Sequence, residues 1–463
     1  MSEAPGRAGA GASSSSTPRA IWLGLAAATT ALAVRLLLFV DRFSVDVPID
    51  DQWGLIDRVE FSPRGFWAGF VAQHGPHRVG LGGLMLGSVY RCFHLDLRVD
   101  AFASAGAVIG AAVLALAVQR KAIGALAWSA VAVPLVYLTL LQYEVFVGAH
   151  DSAHGPFPEF LVTAAALGLA IERLAPRLAL LVVLNGLCMF TGFALFACPF
   201  LIVLMALDLV RAREGMRARR LRGAALAISV ATVAAFFIDY HWRPASRCPV
   251  LHAQQPGAVL AFPIWMLGHA FGSATAALVR ARSPSAWVVS MAEYGVLSGV
   301  FLRAAWRTFT RPSEYLDRAV FLLAGFTLIF GVATAPGRAC LGLVSSQVSR
   351  YVAYAAPGLF AIHLALTGWL PGSKSRLAAA AVMIGLLAFR EERTSTDLPH
   401  VARLRDAQLA WARCYRESED LLGCEQSTGI RIHPNPRHIH LAGSLARMKA
   451  ENLSFFRDLD RGG

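Results

Sequence analysis

The sequence predicts an all-α membrane protein of about eleven transmembrane helices, with a large first external loop and a small external C-terminal appendage. Hydrophobic residues make up 56% of the 463-residue chain, charged residues only 16%, and the mean hydropathy is +0.51. A water-soluble chain of this size could not bury that much apolar surface. The apolar residues also fall in runs long enough to cross a bilayer.

Basic residues are distributed as membrane topology requires. The formal net charge is +13, but Lys and Arg cluster in short stretches between apolar runs, as the positive-inside rule predicts for cytoplasmic loops. We therefore expect no nucleic-acid partner. The stretch 142–156, QYEVFVGAHDSAHGP, contains neither Lys nor Arg and is predicted to be external.

Residues 1–18 are small and polar, which predicts a disordered cytoplasmic N-terminus. The run 20–40 follows as the first span of a membrane domain at 19–390. A cleaved signal peptide is the competing interpretation, but no clear small-residue cleavage site closes this run. Further spans are predicted at 99–119, 124–141, 157–174, 178–193, 194–210, 222–239, 286–305, 318–335, 351–370 and 377–390.

One apolar stretch, 259–279, does not fit this alternation. Counting it as a span would place the basic stretch after Trp306 outside. Pro263, Gly268 and Gly272 interrupt it, so we interpret it as an interfacial or re-entrant element. With this topology the external parts are the loop 41–98, the stretches 142–156, 240–285 and 336–350, and the C-terminal segment 391–463.

The cysteines form no CxxC pair, so neither a zinc site nor a thioredoxin-like motif is indicated. Cys414 and Cys424 lie close together in the C-terminal segment and could form a disulfide if that segment is outside the cytoplasm. We expect the segment to be a small appendage of helices and loops docked on the membrane domain. The cysteines interpreted as packing residues are Cys92, Cys188, Cys198 and Cys340.

Two adjacent carboxylates, Asp50 and Asp51, directly follow the first span in the stretch VPIDDQWGLIDR. They repel each other, and a nearby low-dielectric surface favours protonation of at least one. A solvated loop start is the ordinary explanation of such a pair. Its position between Pro48 and the interfacial aromatic Trp53 favours a functional pair instead.

The same loop contains QHGPHR at 73–78. His74 and His77 could serve as acid, base or metal ligand, and Arg78 could hold a phosphate through its planar guanidinium. A hydrogen-bonded turn around Gly75 and Pro76 explains the histidines equally well.

The stretch 142–156 concentrates ionisable groups without a counter-ion: Glu144, His150, Asp151 and His154. They either bind a cation or protonated ligand, or pair with external arginines such as Arg58, Arg338 or Arg350. A divalent-cation site shared with the Asp50 pair is an open alternative, but the spacing is not diagnostic. We therefore assign no metal ligand and no definite cofactor.

The stretch PGRACLGLVSSQVSRY at 336–351 carries Arg338 and places Arg350 and Tyr351 at the external mouth of a span. External arginines run against the positive-inside trend. They either reach lipid head groups by snorkelling or clamp the phosphate of an amphiphilic ligand.

These motifs, in this order, resemble the GT-C superfamily of polytopic membrane glycosyltransferases, in particular a bacterial branch that uses polyprenyl-phosphate-linked sugars. The matching pieces are IDDQW, the HR of QHGPHR, GRA and SRY within 337–351, and ENLSFF near the C-terminus. The likeness covers most of residues 20–460, but only the acidic pair has an established meaning across the superfamily. Related chains tend to have Asn-Glu-His-Arg where this one has Gly75-Pro76-His77-Arg78, so an acidic side chain is missing.

The resemblance implies transfer of a sugar from a polyprenyl-phosphate donor to an acceptor hydroxyl of a cell-envelope glycan, lipid or protein, with inversion. It implies a site on the external face of a bacterial inner membrane, a cytoplasmic N-terminus and an external C-terminus. Asp50 or Asp51 would be the general base. The substrate-binding residues would be Trp53, His74, His77, Arg78, Arg338, Arg350 and Tyr351.

Two other classes remain open. A transporter or lipid flippase would also have many spans and broken helices, but should place ionisable residues near the bilayer midplane and show internal repeats. The sequence has no convincing repeat, and its spans hold few ionisable residues away from their ends, Arg35 being one. The other class is an inactive GT-C-like relative that only binds lipid or a partner protein, which the altered QHGPHR motif keeps open.

Overall fold

The structure is a computed structural model that describes residues 17–59, 66–148, 152–212, 215–242, 256–311, 314–394, 397–433 and 441–460. Within these ranges it is almost wholly helical, which confirms the predicted all-α class. The strands described are a short antiparallel hairpin of β1 (Gln73–His74) and β2 (His77–Arg78). Most of the N-terminal segment predicted to be disordered lies outside the described residues.

The α-helices follow one another along the whole chain. They are α1 (Arg19–Phe43), α2 (Asp51–Val59), α3 (Ala68–Val71), α4 (Leu81–Phe93), α5 (Leu97–Ile123), α6 (Ala132–Tyr137), α7 (Pro156–Gly168), α8 (Leu174–Phe190), α9 (Cys198–Val210), α10 (Met216–Phe236), α11 (Pro256–Phe271), α12 (Ala276–Arg280), α13 (Pro284–Thr310), α14 (Tyr315–Arg338), α15 (Tyr351–Trp369), α16 (Ser373–Thr394), α17 (Leu398–Ser418), α18 (Leu421–Thr428) and α19 (Leu441–Ala450). Several are joined by 3-10 turns, at Trp128–Val131, Leu140–Val145, Gly192–Ala197, Ala339–Leu341 and Leu343–Gln347, and another lies at Ser454–Asp460.

The protein is a multi-pass membrane protein. In the described ranges, 7 helical segments are long and apolar enough to cross a membrane: Arg19–Phe43, Leu97–Ile123, Trp128–Val145, Gly192–Val210, Pro284–Thr310, Tyr315–Leu341 and Tyr351–Trp369. Every predicted span overlaps a helix, but the count of about eleven is not confirmed. The helices α7 and α8 are short, and α10 and α16 carry charged residues at one or both ends.

Helices α14 and α15 lie at the centre of the bundle. Every side chain of α15 from Tyr351 to Ala365 is buried. The two helices approach closely at Gly358, where an added Cβ would lie 2.8 Å from atoms of the Thr327 side chain. Small residues at such crossings allow the close backbone contact that drives helix association in membranes.

The exceptional stretch 259–279 forms α11, a glycine turn and α12. With 16 residues, α11 is about 24 Å long, shorter than the roughly 30 Å hydrocarbon core. It crosses α13 closely, because a Cβ at Gly268 would lie 2.1 Å from the Ser290 hydroxyl oxygen. Its re-entrant character stays a prediction.

The C-terminal segment packs on the first loop in a second apolar core. Trp53 and Ile56 of α2 contribute from the loop, and Trp411 of α17 and Phe456 contribute from the segment. The Asp50 N–H also donates to a backbone carbonyl of the segment. The appendage therefore helps to set the position of α2.

The disulfide expected between Cys414 and Cys424 is present, with the Cα atoms 5.7 Å apart. Two cysteines differ from the expectation that they are packing residues. Cys340 takes part in a disulfide, and Cys92 is exposed on α4. The free cysteines Cys188 and Cys198 are buried as expected.

A partly buried charge network anchors α16 where the C-terminal segment begins. Arg35 of α1 forms an ion pair with Glu391 at 2.8 Å. Arg390 is fully buried and donates to the carbonyls of Ala270 at 3.0 Å and Leu135 at 2.7 Å. These bonds satisfy acceptors that the ends of α11 and α6 leave free.

Candidate active site

The adjacent carboxylates lie at a sharp turn after the first span. The chain leaves α1 through the mostly buried stretch 44–49. Asp50 then adopts a left-handed backbone conformation, φ +51°, and its N–H donates to the Ile432 carbonyl at 2.7 Å. Helix α2 begins at Asp51, where a carboxylate is favoured by the helix dipole. A non-glycine residue with positive φ is costly and is often found at functional sites.

Arg350 approaches this pair from the N-terminus of α15. Its Nη1 atom lies 3.8 Å from Oδ2 of Asp51. The Arg350 N–H donates to the carboxylate of Glu144 at 3.2 Å. In turn, the Glu144 N–H donates to the Ser349 hydroxyl at 3.2 Å, and that hydroxyl donates to the Leu141 carbonyl at 2.7 Å. The first loop, the stretch 142–156 and α15 therefore meet at one point.

The environment of Asp50 favours its protonated form. Burial raises the pKa of Asp50, and the negative charges of Asp51 and Glu144 raise it further. Arg350 acts in the opposite direction but does not outweigh them. This agrees with the expectation that one of two adjacent carboxylates would resist ionisation.

The environment of Asp51 favours its ionised form. Burial acts to raise the pKa of Asp51, but the opposing influence of His74 and Arg350 is larger in sum, with contributions from His154 and Arg338. The net result is a lowered pKa. Two neighbouring carboxyl groups with pKa values pushed apart can divide the roles of proton acceptor and charge partner.

A cluster of imidazole rings flanks the carboxylates. The β1–β2 hairpin pairs His74 with His77 across a turn in which Gly75 has φ +58°. The Nε2 atoms of His77 and His154 lie 2.6 Å apart, and the rings of His74 and His154 are 5.6 Å apart. The QHGPHR motif is thus a tight turn around Gly75 and Pro76, as one of the two interpretations expected. The turn brings His74 and His77 close to a third histidine, His154.

An aromatic layer lies against the imidazole cluster. The ring of Phe193 is 4.5 Å from that of His77. Phe330 stacks on Tyr354 at 4.0 Å and lies 5.9 Å from Tyr351. Tyr351, predicted as a substrate contact, is largely buried in this layer. The layer gives the site an apolar side next to the bundle.

Arg338 is the last residue of α14 and is exposed. It forms no ion pair with the parts of the chain that the structure describes. Its positive charge still contributes to the lowered pKa of Asp51. Within the described ranges the guanidinium is thus unpaired, and it can bind an anion.

Trp53 does not line this surface. Its side chain is 0% exposed and belongs to the core that α2 shares with the C-terminal segment. A side chain with no exposed surface cannot contact a substrate from the site. The expectation of a substrate contact at Trp53 is corrected to a packing role.

Arg78 is also engaged away from the carboxylates. Its guanidinium donates to the carbonyls of Phe236 at 2.8 Å, Val71 at 2.5 Å, and Ile238. Such carbonyls at the end of a helix lack partners within the helix, and a cation there is favoured by the helix dipole. The expectation that Arg78 holds a phosphate is corrected to a role in tying the first loop to α10.

Glu144 and His154 belong to the cluster but were not assigned to the site from the sequence. The available signal was the concentration of ionisable groups without Lys or Arg in 142–156. The Glu144 carboxylate accepts the backbone N–H of Arg350, and pairing of this stretch with external arginine side chains stays a prediction. His150, Asp151 and the side chain of Arg58 lie outside the described residues. Among the residues that are described, no group of three or more His, Cys, Asp or Glu is arranged to hold a metal ion.

The fold and the site define a multi-pass helical membrane protein with acidic, basic and imidazole groups gathered where its first span ends. Among solved structures, the chain is similar to ArnT from Cupriavidus metallidurans, in a crystal structure bound to undecaprenyl phosphate. The sequence identity is 14%, the TM-score is 0.45, and the match covers 94% of this chain and 78% of that chain. No protein-family model matches the chain, and no curated protein matches it significantly.

Proposed function

We propose that the protein is a membrane glycosyltransferase of the GT-C kind that moves a sugar from a polyprenyl-phosphate donor to an acceptor hydroxyl. The observation that carries this proposal is the meeting of Asp50 and Asp51 with Arg350 and Arg338 beside the end of the first span. A lipid-linked donor keeps its hydrocarbon tail in the bilayer and presents its phosphosugar at the surface. A base and cations are therefore needed together at that depth.

Asp50 is the proposed general base. Asp50 stays accessible to solvent, although the surrounding protein partly desolvates its carboxyl group, and its raised pKa makes its carboxylate more basic than that of an ordinary aspartate. It would accept the proton of the acceptor hydroxyl while that oxygen bonds to the anomeric carbon. The bond from that carbon to the phosphate oxygen breaks, and its electron pair leaves with the polyprenyl phosphate. A single displacement of this kind inverts the anomeric configuration.

Arg350 and Arg338 are proposed to neutralise the phosphate as it leaves. Arg350 is suited to this because its separation from Asp51, 3.8 Å, is too long for a strong charge-assisted hydrogen bond. The guanidinium can therefore turn to a phosphate while Asp51 keeps it near the donor. His74 is proposed to form the wall that faces the sugar, with the buried His77 and Tyr351 packed behind it. A divalent cation at the carboxylates would be an addition to this scheme and is not required by it.

The external face of a bacterial inner membrane is the proposed location. The disulfide between Cys414 and Cys424 supports an oxidising compartment for the C-terminal segment. The N-terminus is then cytoplasmic by the positive-inside rule. The acceptor is proposed to be a glycan, lipid or protein of the cell envelope, and membrane lipids surround the bundle.

The positions of two buried charges, Glu159 and Arg390, favour an enzyme over a transporter or flippase. Glu159 lies in the first turn of α7, the helix that follows His154. Arg390 lies close to the end of α16 and bonds to helix-end carbonyls. A transport site is expected near the bilayer midplane instead.

The test supplies labelled polyprenyl-phosphate sugars to membranes that contain the protein and follows transfer. Asp50→Asn is expected to lower the rate at least about 100-fold through loss of the base. Asp51→Asn is expected to lower it about tenfold, because Arg350 loses its charge partner. Asp57→Asn, a matched change in the same helix α2, should leave transfer unchanged.

Turnover that survives both changes would refute the assignment of the base. Binding of the donor without any turnover in the unmodified protein would favour an inactive lipid-binding relative. Movement of the intact lipid across the bilayer without sugar transfer would favour a flippase.

A further inference from the structure

Glu144 forms two hydrogen bonds with the residues at the start of α15. Its carboxylate accepts the Arg350 N–H at 3.2 Å, and its own N–H donates to Ser349 at 3.2 Å. The two segments are therefore bonded to each other in both directions. The bonds hold the first residues of α15 to the stretch 142–156, although the partners are more than two hundred residues apart along the chain.

The same carboxylate also acts electrostatically on the Arg350 guanidinium, whose ion pair is with Asp51. Burial acts to lower the pKa of Arg350, but Glu144, followed by Asp51, outweighs burial and raises it. Glu144 also adds to the negative charge felt by Asp50. One side chain thus acts on both the proposed phosphate-binding cation and the proposed base.

We propose that Glu144 is a positioning residue of this site, which fixes Arg350 at the mouth of α15 and places negative charge beside Asp50. This inference rests on the proposed function. Without the Glu144 hydrogen bond, the start of α15, which carries Arg350, would no longer be fixed beside Asp50 and Asp51. With it, the backbone of Arg350 is fixed by Glu144 while its guanidinium lies 3.8 Å from Asp51.

The charged and titratable groups that act on Arg350 or on the aspartates beside it come from several elements, including Tyr351 of α15 itself. Asp50 and Asp51 belong to the start of α2, and Arg338 ends α14. His74 lies on the hairpin, and His154 precedes α7. Neutralising Glu144 removes one repulsive charge from Asp50 and strengthens the hold of Arg350 on the aspartates. Both effects make Asp50 easier to ionise.

Two substitutions separate the charge of Glu144 from its hydrogen bond. In Glu144→Gln the amide oxygen still accepts the Arg350 N–H, but the charge is lost. The acid limb of the pH–rate profile is expected to move to lower pH by on the order of half a unit. Affinity for a long-chain polyprenyl monophosphate should stay near that of the unmodified protein.

In Glu144→Ala the hydrogen bond is lost as well, so the carboxylate no longer holds the backbone at Arg350, where α15 begins. The affinity for the polyprenyl monophosphate, titrated with a radiolabelled probe in detergent, is expected to fall about tenfold. If this variant does not fold, the pH profile of Glu144→Gln decides the question. Glu417→Gln, an exposed change of the same kind on α17, is the matched control.

An acid limb that stays in place in Glu144→Gln overturns the proposal, and so does unchanged phosphate affinity in a folded Glu144→Ala. An equal shift in Glu417→Gln also overturns it, since the effect would then be one of net charge. If the unmodified protein transfers no sugar, the proposed function fails. The titration still measures how Glu144 affects the affinity of the site for polyprenyl monophosphate, so the two failures can be distinguished.

Discussion

Arg350 and Arg78 show that one residue type occupies two different environments in the same protein. The Arg350 side chain keeps 30% of its surface exposed, and its carboxylate partner Asp51 is 3.8 Å away. Arg78 is buried, and its donors are used by carbonyls at the end of α10. A buried guanidinium that loses such partners would leave unsatisfied groups. The two arginines should therefore fail in different assays.

Substitution of Arg78 is expected to affect stability rather than binding. Arg78→Gln removes charged donors from buried carbonyls and should lower the free energy of unfolding by about 2–3 kcal/mol. Affinity for polyprenyl monophosphate in the folded fraction should not change. Thermal unfolding in detergent and a titration measure the two quantities. Arg413→Gln, at an exposed position on α17, is the control and should change neither quantity. If Arg78→Gln is stable but does not bind phosphate, Arg78 is a phosphate-binding residue after all.

At the scale of elements, the contact between the turn after α8 and the segment before α7 sets the position of His154. Gly192 has φ +52°, and a Cβ there would lie 2.0 Å from the Ala153 carbonyl oxygen. Ala153 directly precedes His154, which faces His77 at 2.6 Å. Glycine is needed because any side chain would strain the backbone and push this segment aside.

Gly192→Ala is therefore expected to disturb the imidazole cluster. The left-handed conformation alone should cost about 1–2 kcal/mol, and the displaced His154 should lower the rate of sugar transfer about tenfold. Unfolding and transfer assays measure these effects. Gly186→Ala on α8 is the control, because its Cβ would lie 3.9 Å from Thr232, an ordinary contact. Full activity in Gly192→Ala would show that His154 does not need this position.

At the scale of the whole molecule, an acidic clasp joins the C-terminal segment to the membrane domain. Arg457 lies 2.8 Å from a carboxylate oxygen of Asp96 and 3.3 Å from one of Asp46. The Ser454 hydroxyl donates to Asp46 at 2.9 Å. Burial, followed by the charge of Asp96, raises the pKa of Asp46 to about 7. The clasp lies beside the apolar core that holds α2, so it bears indirectly on the site.

Docking of the segment is expected to depend on pH through Asp46. Its pKa is above the ordinary value when docked, so the protonated form favours docking. The contribution of Asp46 to the free energy of docking is full below about pH 4. It is lost as the pH rises through about 7. The slope should be at most about 1.4 kcal/mol per pH unit in that window.

Asp46→Asn is uncharged at every pH and should remove this dependence, so that the variant is docked more stably than the unmodified protein above neutrality. Hydrogen exchange of the C-terminal segment as a function of pH measures the effect. Asp41→Asn, at an exposed carboxylate, should keep the dependence. An unchanged pH dependence in Asp46→Asn would exclude Asp46 as its source.

The sequence by itself determined the helical class, the positions of the apolar helices and the acidic turn after the first one. These features are local, because a bilayer forces each crossing segment to satisfy its backbone within itself. Asp50, Asp51 and Arg350 were found for the same reason: charges at the ends of apolar runs stand out in the sequence.

Tertiary structure alone decided which partners those groups have. Glu144 reaches Arg350, Arg78 reaches the end of α10, and Trp53 is covered by the C-terminal segment. Each of these contacts joins parts of the chain far apart in sequence, so no local pattern records them. Whether a polar side chain is exposed to a ligand or already satisfied by the protein depends on packing between helices. That packing exists only once the whole bundle has formed.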